Sequence, residues 1–341
     1  MHTAYIATCA TIPTLLMFTH NDIEMRTIFV VNCIERKRTL RVCNGELLLE
    51  ENREGKNATL TKFPFQKILA LFVIGHMTVT TPLIEKCKLF GVALIVVKPN
   101  LRPVFYWADT AEANYLLRQR QYQFASNDLS IARILVRNKI NNQMNTLVRT
   151  RLKSPIVLQA RAQCQSALGK IDTITDYNQL LGLEGQVAKS YYAAYFNSLG
   201  WKGRRPRMKC DEINLTLDIG YTLLFNFMEC FIRMFGFDLY VGVYHRLWFK
   251  RKSLVCDIME PFRCVIDHAV LLAFHRKQFS TSHFELVKHE YQLKREYTSA
   301  YYNVFLNALV AHKSCIFRYV QRYYRSFMGR KSATAYPTFD F

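Results

Sequence analysis

Two stretches of the chain, KILALFVIG (67–75) and GVALIVVK (91–98), are almost unbroken apolar runs of strand length, the pattern of strands covered on both faces. Between them TTPLIEKCKLF (80–90) has helical spacing, with Pro82 in its first turn. Upstream, RTIFVVNCIE (26–35) and RTLRVCNGELLLEE (38–51) are short β-branched runs, and the second contains Asn44-Gly45, a dipeptide that accepts the positive φ of a tight hairpin. RPVFYWA (102–108) offers an edge strand. Together these segments predict a small β-rich domain over residues 26–110, β-sandwich-like with one short helix.

From about residue 109 the apolar period changes to 3.6, with Asp109 or Thr110 as a cap and Ala113, Leu116, Leu117 and Arg120 at helical spacing. Helices are predicted over 110–125, 128–149, 155–168, 176–198, 211–235, 254–277, 283–311 and 313–328. The breaks fall at Ser154-Pro155, in GWKGRRPRMKC (200–210) and at Gly236. The predicted fold class is therefore α+β: the β-rich domain, then a larger all-α domain over 111–328. Residues 329–341 show no period and are expected to be a disordered tail. Residues 1–25 read as a leader of uncertain status. Their apolar part, YIATCATIPTLLMF (4–17), lacks a basic start and is too short to span a bilayer, so no signal or transmembrane segment is read there.

Composition narrows the partner. The chain of 341 residues carries a formal net charge of +20, which points to a polyanion. Residues 1–110 hold 13 Lys+Arg against 9 Asp+Glu, net +4, whereas residues 111–341 hold 33 against 17, net +16. The anion-binding face is thus expected in the helical part. The ten cysteines form no C-x-x-C pair, which favours reduced, buried thiols over a zinc site.

Four residues are candidates for chemistry. Glu184 lies in LLGLEGQVAKSYYAAYF among the apolar stripe of Leu180, Leu181, Leu183, Val187, Tyr191 and Tyr195; alone it is also compatible with a carboxylate that compensates a helix dipole. His245 precedes a basic run containing Arg246, Lys250, Arg251 and Lys252, and neutral imidazole is a common metal ligand. Asp257 and Glu260, spaced i, i+3, share one helix face, or else form a capping box with Asp257 at the N-cap. A hard divalent cation, Mg²⁺ or Mn²⁺, explains the four together, because carboxylate oxygens with one imidazole suit it better than zinc. Such an ion ringed by cations is equipment for phosphodiester chemistry. Asn214 and Tyr221, on or beside the apolar face of the helix at 211–235, are possible supporting polar groups.

Taken in order, GLEGQVAKSYYAAYF (182–196), RRPRMKCDEINLTLDIGYTLL (204–224), GVYH (242–245) and SLVCDIMEPFRCVID (253–267) resemble the CRISPR-associated integrases that insert new spacers into a repeat array. LTKFPFQKILALFVIGHMTVTTPLIEKCKLFGVALIVV (60–97) resembles the N-terminal β domain of that family, so the similarity spans about 26–325. The resemblance implies metal ligands at Glu184, His245 and Glu260, with Asp257 as an adjacent supporting carboxylate. Asp218, where many members have Ser, and Cys264, where Pro is frequent, depart from the pattern without removing a ligand.

The implied reaction is strand transfer, in which a 3′-hydroxyl of incoming double-stranded DNA attacks a phosphodiester of the repeat. Phosphate contacts are expected from some of Arg204, Arg205, Arg207, Arg246, Lys250, Arg251, Lys252 and Arg263. The resemblance further implies a homodimer joined through the β domains, a small ferredoxin-like partner bridging two dimers, and a prokaryotic cytoplasmic setting without a membrane. Two alternatives remain open at this point: a transposon-encoded integrase of the same fold, and a non-catalytic basic DNA-binding dimer.

Overall fold

A computed structural model of the chain describes residues 20–33, 38–53, 56–99, 101, 103–107, 114–124, 128–201, 203–246 and 249–341. Strand β5 (Ile68–Gly75) is buried along its whole length. It pairs in parallel with β1 (Thr27–Cys33) on one side and β6 (Ala93–Val97) on the other. Helix α2 (Thr81–Leu89) makes the crossover, and β7 (Pro103–Trp107) closes the edge antiparallel to β6. A second sheet of β2 (Arg38–Cys43), β3 (Glu46–Arg53) and β4 (Lys56–Pro64) is antiparallel throughout. Its first turn is Asn44-Gly45, at φ 50° and 79°, the left-handed pair that this dipeptide favours.

Alternation along β5 and β6 divides their side chains between two cores. Leu71, Val73 and Leu94 join Leu40 and Leu47 of the second sheet and Leu83 of α2. Phe72, Ile74 and Ile95 instead join the core of the helical lobe. The four-stranded sheet is thus a wall shared by both cores, which is why its central strands are apolar at every position.

The helical lobe contains α3 (Tyr115–Gln123), α4 (Ser130–Arg149), α5 (Pro155–Lys170), α6 (Tyr177–Tyr195), α7 (Glu212–Met234), α8 (Ser253–Met259), α9 (Arg263–His275), α10 (Thr298–Ala311) and α11 (Lys313–Met328). The caps expected at Asp109 or Thr110 lie outside the described residues. Helix α7 runs through the middle of the lobe; it is long and apolar enough to cross a membrane, but 78% of its apolar window is buried inside the protein. Its Asn226 donates to the carbonyl of Leu101 and Tyr302 of α10 to that of Pro99, bonds of 3.1 and 2.6 Å that tie the lobe to the chain after β6. Helix α1 (His20–Met25) buries Ile23 and pairs Glu24 with Arg318 of α11, so residues 20–25 belong to the fold; the rest of the expected leader lies outside the described residues. The nine described cysteines are free thiols.

Three expectations are corrected. The helix predicted over 283–311 begins instead as a hairpin of β8 (Phe284–Val287) and β9 (Glu290–Leu293), turned at Lys288 and His289 with both at positive φ. The helix predicted over 254–277 is interrupted by a tighter turn at Glu260–Phe262, because Pro261 has no N–H to donate to the helix. The tail predicted to be disordered is docked. Asn138 of α4 bonds both the N–H and the carbonyl of Phe339, at 2.8 and 2.7 Å, and Asn142 accepts from the N–H of Phe341 at 3.1 Å. The Phe339 ring stacks on Phe262 at 4.2 Å between centroids. The tail has no period because its aromatic residues fill separate gaps between helices and form no face of their own.

Phe339→Ala removes that ring and should lower unfolding stability by about 3 kcal/mol. A denaturant midpoint equal to that of the parent chain would contradict the docked tail.

Candidate active site

Helix α6 starts at Asp176, whose carboxylate accepts from the N–H groups of Asn178 and Gln179 at 2.9 and 3.0 Å. Glu184 stands two turns further on, in the stripe that buries Leu180, Val187 and Tyr191, so it faces inward and not the helix dipole. The hydroxyl of Tyr244 donates to its Oε2. Tyr244 and His245 sit on the segment before α8, and that segment is held by Asp257.

Helix α8 begins at Ser253, which places Asp257 inside it and rules out the capping box. Buried Asp257 instead accepts from three consecutive backbone N–H groups, Val243 at 2.6 Å, Tyr244 at 3.0 Å and His245 at 2.8 Å. Its Oδ1 also meets His245 Nδ1 at 2.6 Å. With Nδ1 engaged in this way, Nε2 is the ring nitrogen left to act as a ligand. The segment approaches so closely that a Cβ on Gly242 would lie 2.4 Å from Asp257 Oδ2. Asp257 is therefore occupied in orienting His245.

The carboxylate of Glu260 accepts from both Nε and a terminal nitrogen of Arg263, at 2.7 and 2.9 Å. Its Oε2 also lies 2.6 Å from Nζ of Lys139, and the same ammonium pairs with Oε1 of Glu184. Burial alone would raise the Glu260 pKa, but Arg263, then Lys139, hold it well below the usual carboxylate range, and His245 acts in the same direction. Burial likewise opposes the Lys139 charge, yet Glu184 and Glu260 outweigh it and raise its pKa.

Lys139 had no part in the sequence reading. Its signal was a lysine at helical spacing with Leu135 and Asn142 on the buried face of α4, an unpartnered charge until a carboxylate is placed opposite. Among the described residues, no three His, Cys, Asp or Glu side chains stand close enough to enclose an ion as they are placed. The donor chemistry nevertheless fits a hard cation: two carboxylates converge on one positive group, with His245 near enough to act on Glu260.

Of the cations expected on DNA, three turn inward. Arg204 pairs with Asp218 and Asn214, Lys252 with buried Glu229, and Arg263 with Glu260. Asp218 also accepts from the N–H of Arg207, so the departure noted at this position anchors the basic loop. Arg251 is half-buried beside Cys256. Arg205, Arg207, Arg246 and Lys250 are exposed, with Arg246 lying 4.1 Å over the Tyr177 ring. Beside Lys250, Phe249 is 82% exposed, while Leu247 and Trp248 lie outside the described residues.

Asn214 supports the loop and not the carboxylates: it accepts from the Arg205 N–H at 2.7 Å and donates to the Gly203 carbonyl at 3.1 Å. Tyr221 donates to buried Asp267, as does Tyr191 at 3.0 Å, and the Arg263 guanidinium lies 4.6 Å from the Tyr221 ring. This buried network braces Arg263 and, through it, Glu260.

Comparison with known proteins gives the following likenesses. A family model described as CRISPR associated protein Cas1 matches residues 32–306. A CRISPR-associated endonuclease Cas1 of Thermodesulfovibrio yellowstonii is 27% identical over 271 residues, covering 76% of this chain and 83% of the relative. One of Thermus thermophilus is 29% identical over 253 residues, covering 73% and 76%. Among solved structures, a casposase bound to integration product superposes with a TM-score of 0.72 at 19% identity, covering 89% of this chain and 91% of that one. A chain from a partial Cas6-RT-Cas1–Cas2 complex gives 0.69 at 20% identity, covering 92% and 99%. At these identities the two structures establish the α+β fold alone.

Burial pushes the Asp267 carboxyl up to about 6, against the hydrogen bonds from Tyr221 and Tyr191. A carboxyl raised in the folded state favours its protonated form there, so the stability it contributes is full below the unfolded pKa and lost as pH rises through the folded one. Asp267→Asn should therefore gain on the parent chain by about 3 kcal/mol between roughly pH 4 and pH 6. Parallel stability curves for the two proteins across this range would contradict the raised carboxyl.

Proposed function

The chain belongs to the Cas1 family of CRISPR-associated endonucleases, and we propose that Glu184, His245 and Glu260 hold the Mg²⁺ or Mn²⁺ ion through which it works on DNA. It is a Cas1 endonuclease and integrase of CRISPR spacer acquisition. The observation that carries the ligand assignment is the convergence of Glu184 and Glu260 on a single positive group, beside a histidine whose Nδ1 is already engaged.

Bound there, the ion supplies charge stabilisation at the attacked phosphate. The residues of the chain do the positioning. Tyr244 fixes Glu184, Arg263 fixes Glu260, and Asp257 holds His245 with Nε2 directed away from its own carboxylate. Arg205, Arg207, Arg246 and Lys250 would grip DNA phosphates, so that a 3′-hydroxyl meets the repeat phosphodiester in line. The sequence shows no base-reading motif, so substrate choice would rest on DNA shape, ends and partners.

A homodimer joined through the β domains, and a small partner bridging two dimers, complete the proposal; a solved relative is a Cas1–Cas2 complex, which supports assembly with a partner. Family membership sets aside the non-catalytic dimer. The casposase compared above shares the fold alone, at 19% identity, whereas the family model and the curated relatives are CRISPR-associated.

Glu184→Ala, His245→Ala and Glu260→Ala should each reduce Mn²⁺-dependent joining of short duplexes into a repeat-bearing plasmid by about 10³-fold or more. Undiminished joining by any one would remove that residue from the ligand set. Replacing Arg205, Arg207 and Lys250 together by alanine should flatten the log–log dependence of DNA affinity on salt by about 3, with little effect on folding. An unaltered slope would place the phosphate grip elsewhere.

A further inference from the structure

The proposed ion site already contains a positive charge. The Lys139 side chain is 9% exposed, and its ammonium touches the carboxylates assigned above to the ion. Glu184 and Glu260 bring two negative charges and Lys139 and Arg263 two positive ones, so these four side chains balance one another without any divalent cation. Counting Asp257 behind His245 as well, an added divalent ion still leaves surplus positive charge in a largely buried place. That surplus is relieved if Lys139 leaves, or if an anion arrives.

The backbone bearing Lys139 is not free to retreat. Asn138, its neighbour, holds Phe339 through two bonds, and Asn142, one turn on, donates to the carbonyl of Pro261 at 2.8 Å and accepts from Phe341. Helix α4 is thereby fastened to the turn that carries Glu260. What can move is the lysine side chain itself, a point charge on a flexible stem, and Lys suits such a role better than a rigid, forked Arg.

We propose that Lys139 is a resident counter-ion that competes with the divalent cation for Glu184 and Glu260, and that the phosphates of bound DNA draw it away and make ion binding conditional on substrate. In the metal-free protein Lys139 keeps two carboxylates together that would otherwise repel. When DNA is bound, the ammonium exchanges its carboxylates for phosphate oxygens and the ion takes its place. Coupling between two ligands is reciprocal, so the ion should also tighten DNA binding. The proposal rests on the ion-site reading given above.

The test measures Mn²⁺ affinity of the full chain by calorimetry, with and without a short DNA duplex, together with melting in chelator. Lys139→Met should melt lower than the parent in chelator. It should also bind Mn²⁺ at least tenfold more tightly without DNA, about 1.4 kcal/mol. Its gain in Mn²⁺ affinity on adding DNA should be smaller than that of the parent chain. A lysine that merely braced the ligands would give the opposite sign, and equal or weaker Mn²⁺ binding by Lys139→Met overturns the proposal. Should the methionine variant fail to fold, Lys139→Gln is measured with the same expectations and the same overturning result. If the parent chain binds no Mn²⁺ even with DNA, the ion-site reading itself fails and the competition falls with it; binding by the parent without the predicted change in the variant overturns the competition alone.

Discussion

Two carboxylates directed at one point, Glu260 buried and Glu184 mostly so, must be neutralised, and much of the helical lobe is arranged to do so. Glu184 of α6 and Glu260 of the turn between α8 and α9 lie far apart in sequence, and each meets Lys139 of α4. Arg263 then closes the far side of Glu260, and the tyrosine and aspartate network around Asp267 lies behind Arg263. The cost of leaving any of these charges buried and unpaired is several kcal/mol, so the partners specify one another's positions. Three segments that look independent in sequence become one charge-balanced unit.

The same unit is held from behind by packing. The four-stranded sheet divides its side chains between two cores, and bonds from α7 and α10 join the helical lobe to the chain following β6. On the opposite side the C-terminal segment lies across α4 and stacks Phe339 on Phe262, two residues from Glu260. The geometry of the proposed ion site depends on such supports, because a ligand displaced by an ångström loses much of its effect. The tail is thus part of the scaffold around that proposed site.

Periodicity exposed most of the architecture because both types of regular element repeat locally. The apolar runs at 67–75 and 91–98 became the two central strands, and Asn44-Gly45 became the turn it encodes. The misreadings lie where local pattern is ambiguous. FELVKHEYQL is too short to separate period 2 from 3.6, so its pattern predicts the start of a helix where the chain forms a hairpin. Pro261 falls within an otherwise helical pattern, and whether the chain kinks or tolerates it depends on what takes up the Asp257 carbonyl that Pro261 cannot bond, here the Glu260 N–H in a tighter turn.

The sequence by itself determined the α+β class, the order of most of the elements, the concentration of positive charge in the second part, and the family, through the ordered motifs that contain Glu184, His245, Asp257 and Glu260. These are properties of composition, local period and ordered motifs, and each can be read without knowing what lies opposite. Tertiary structure decided what each charge does. It turned Arg204, Lys252 and Arg263 inward while leaving Arg205, Arg207 and Lys250 in solvent. It gave Asp257 to the backbone of the His245 segment, and it placed Lys139 between two carboxylates 45 and 121 positions away along the chain. A charge is defined by its partners, and partners brought together across the fold leave no periodic trace in the chain.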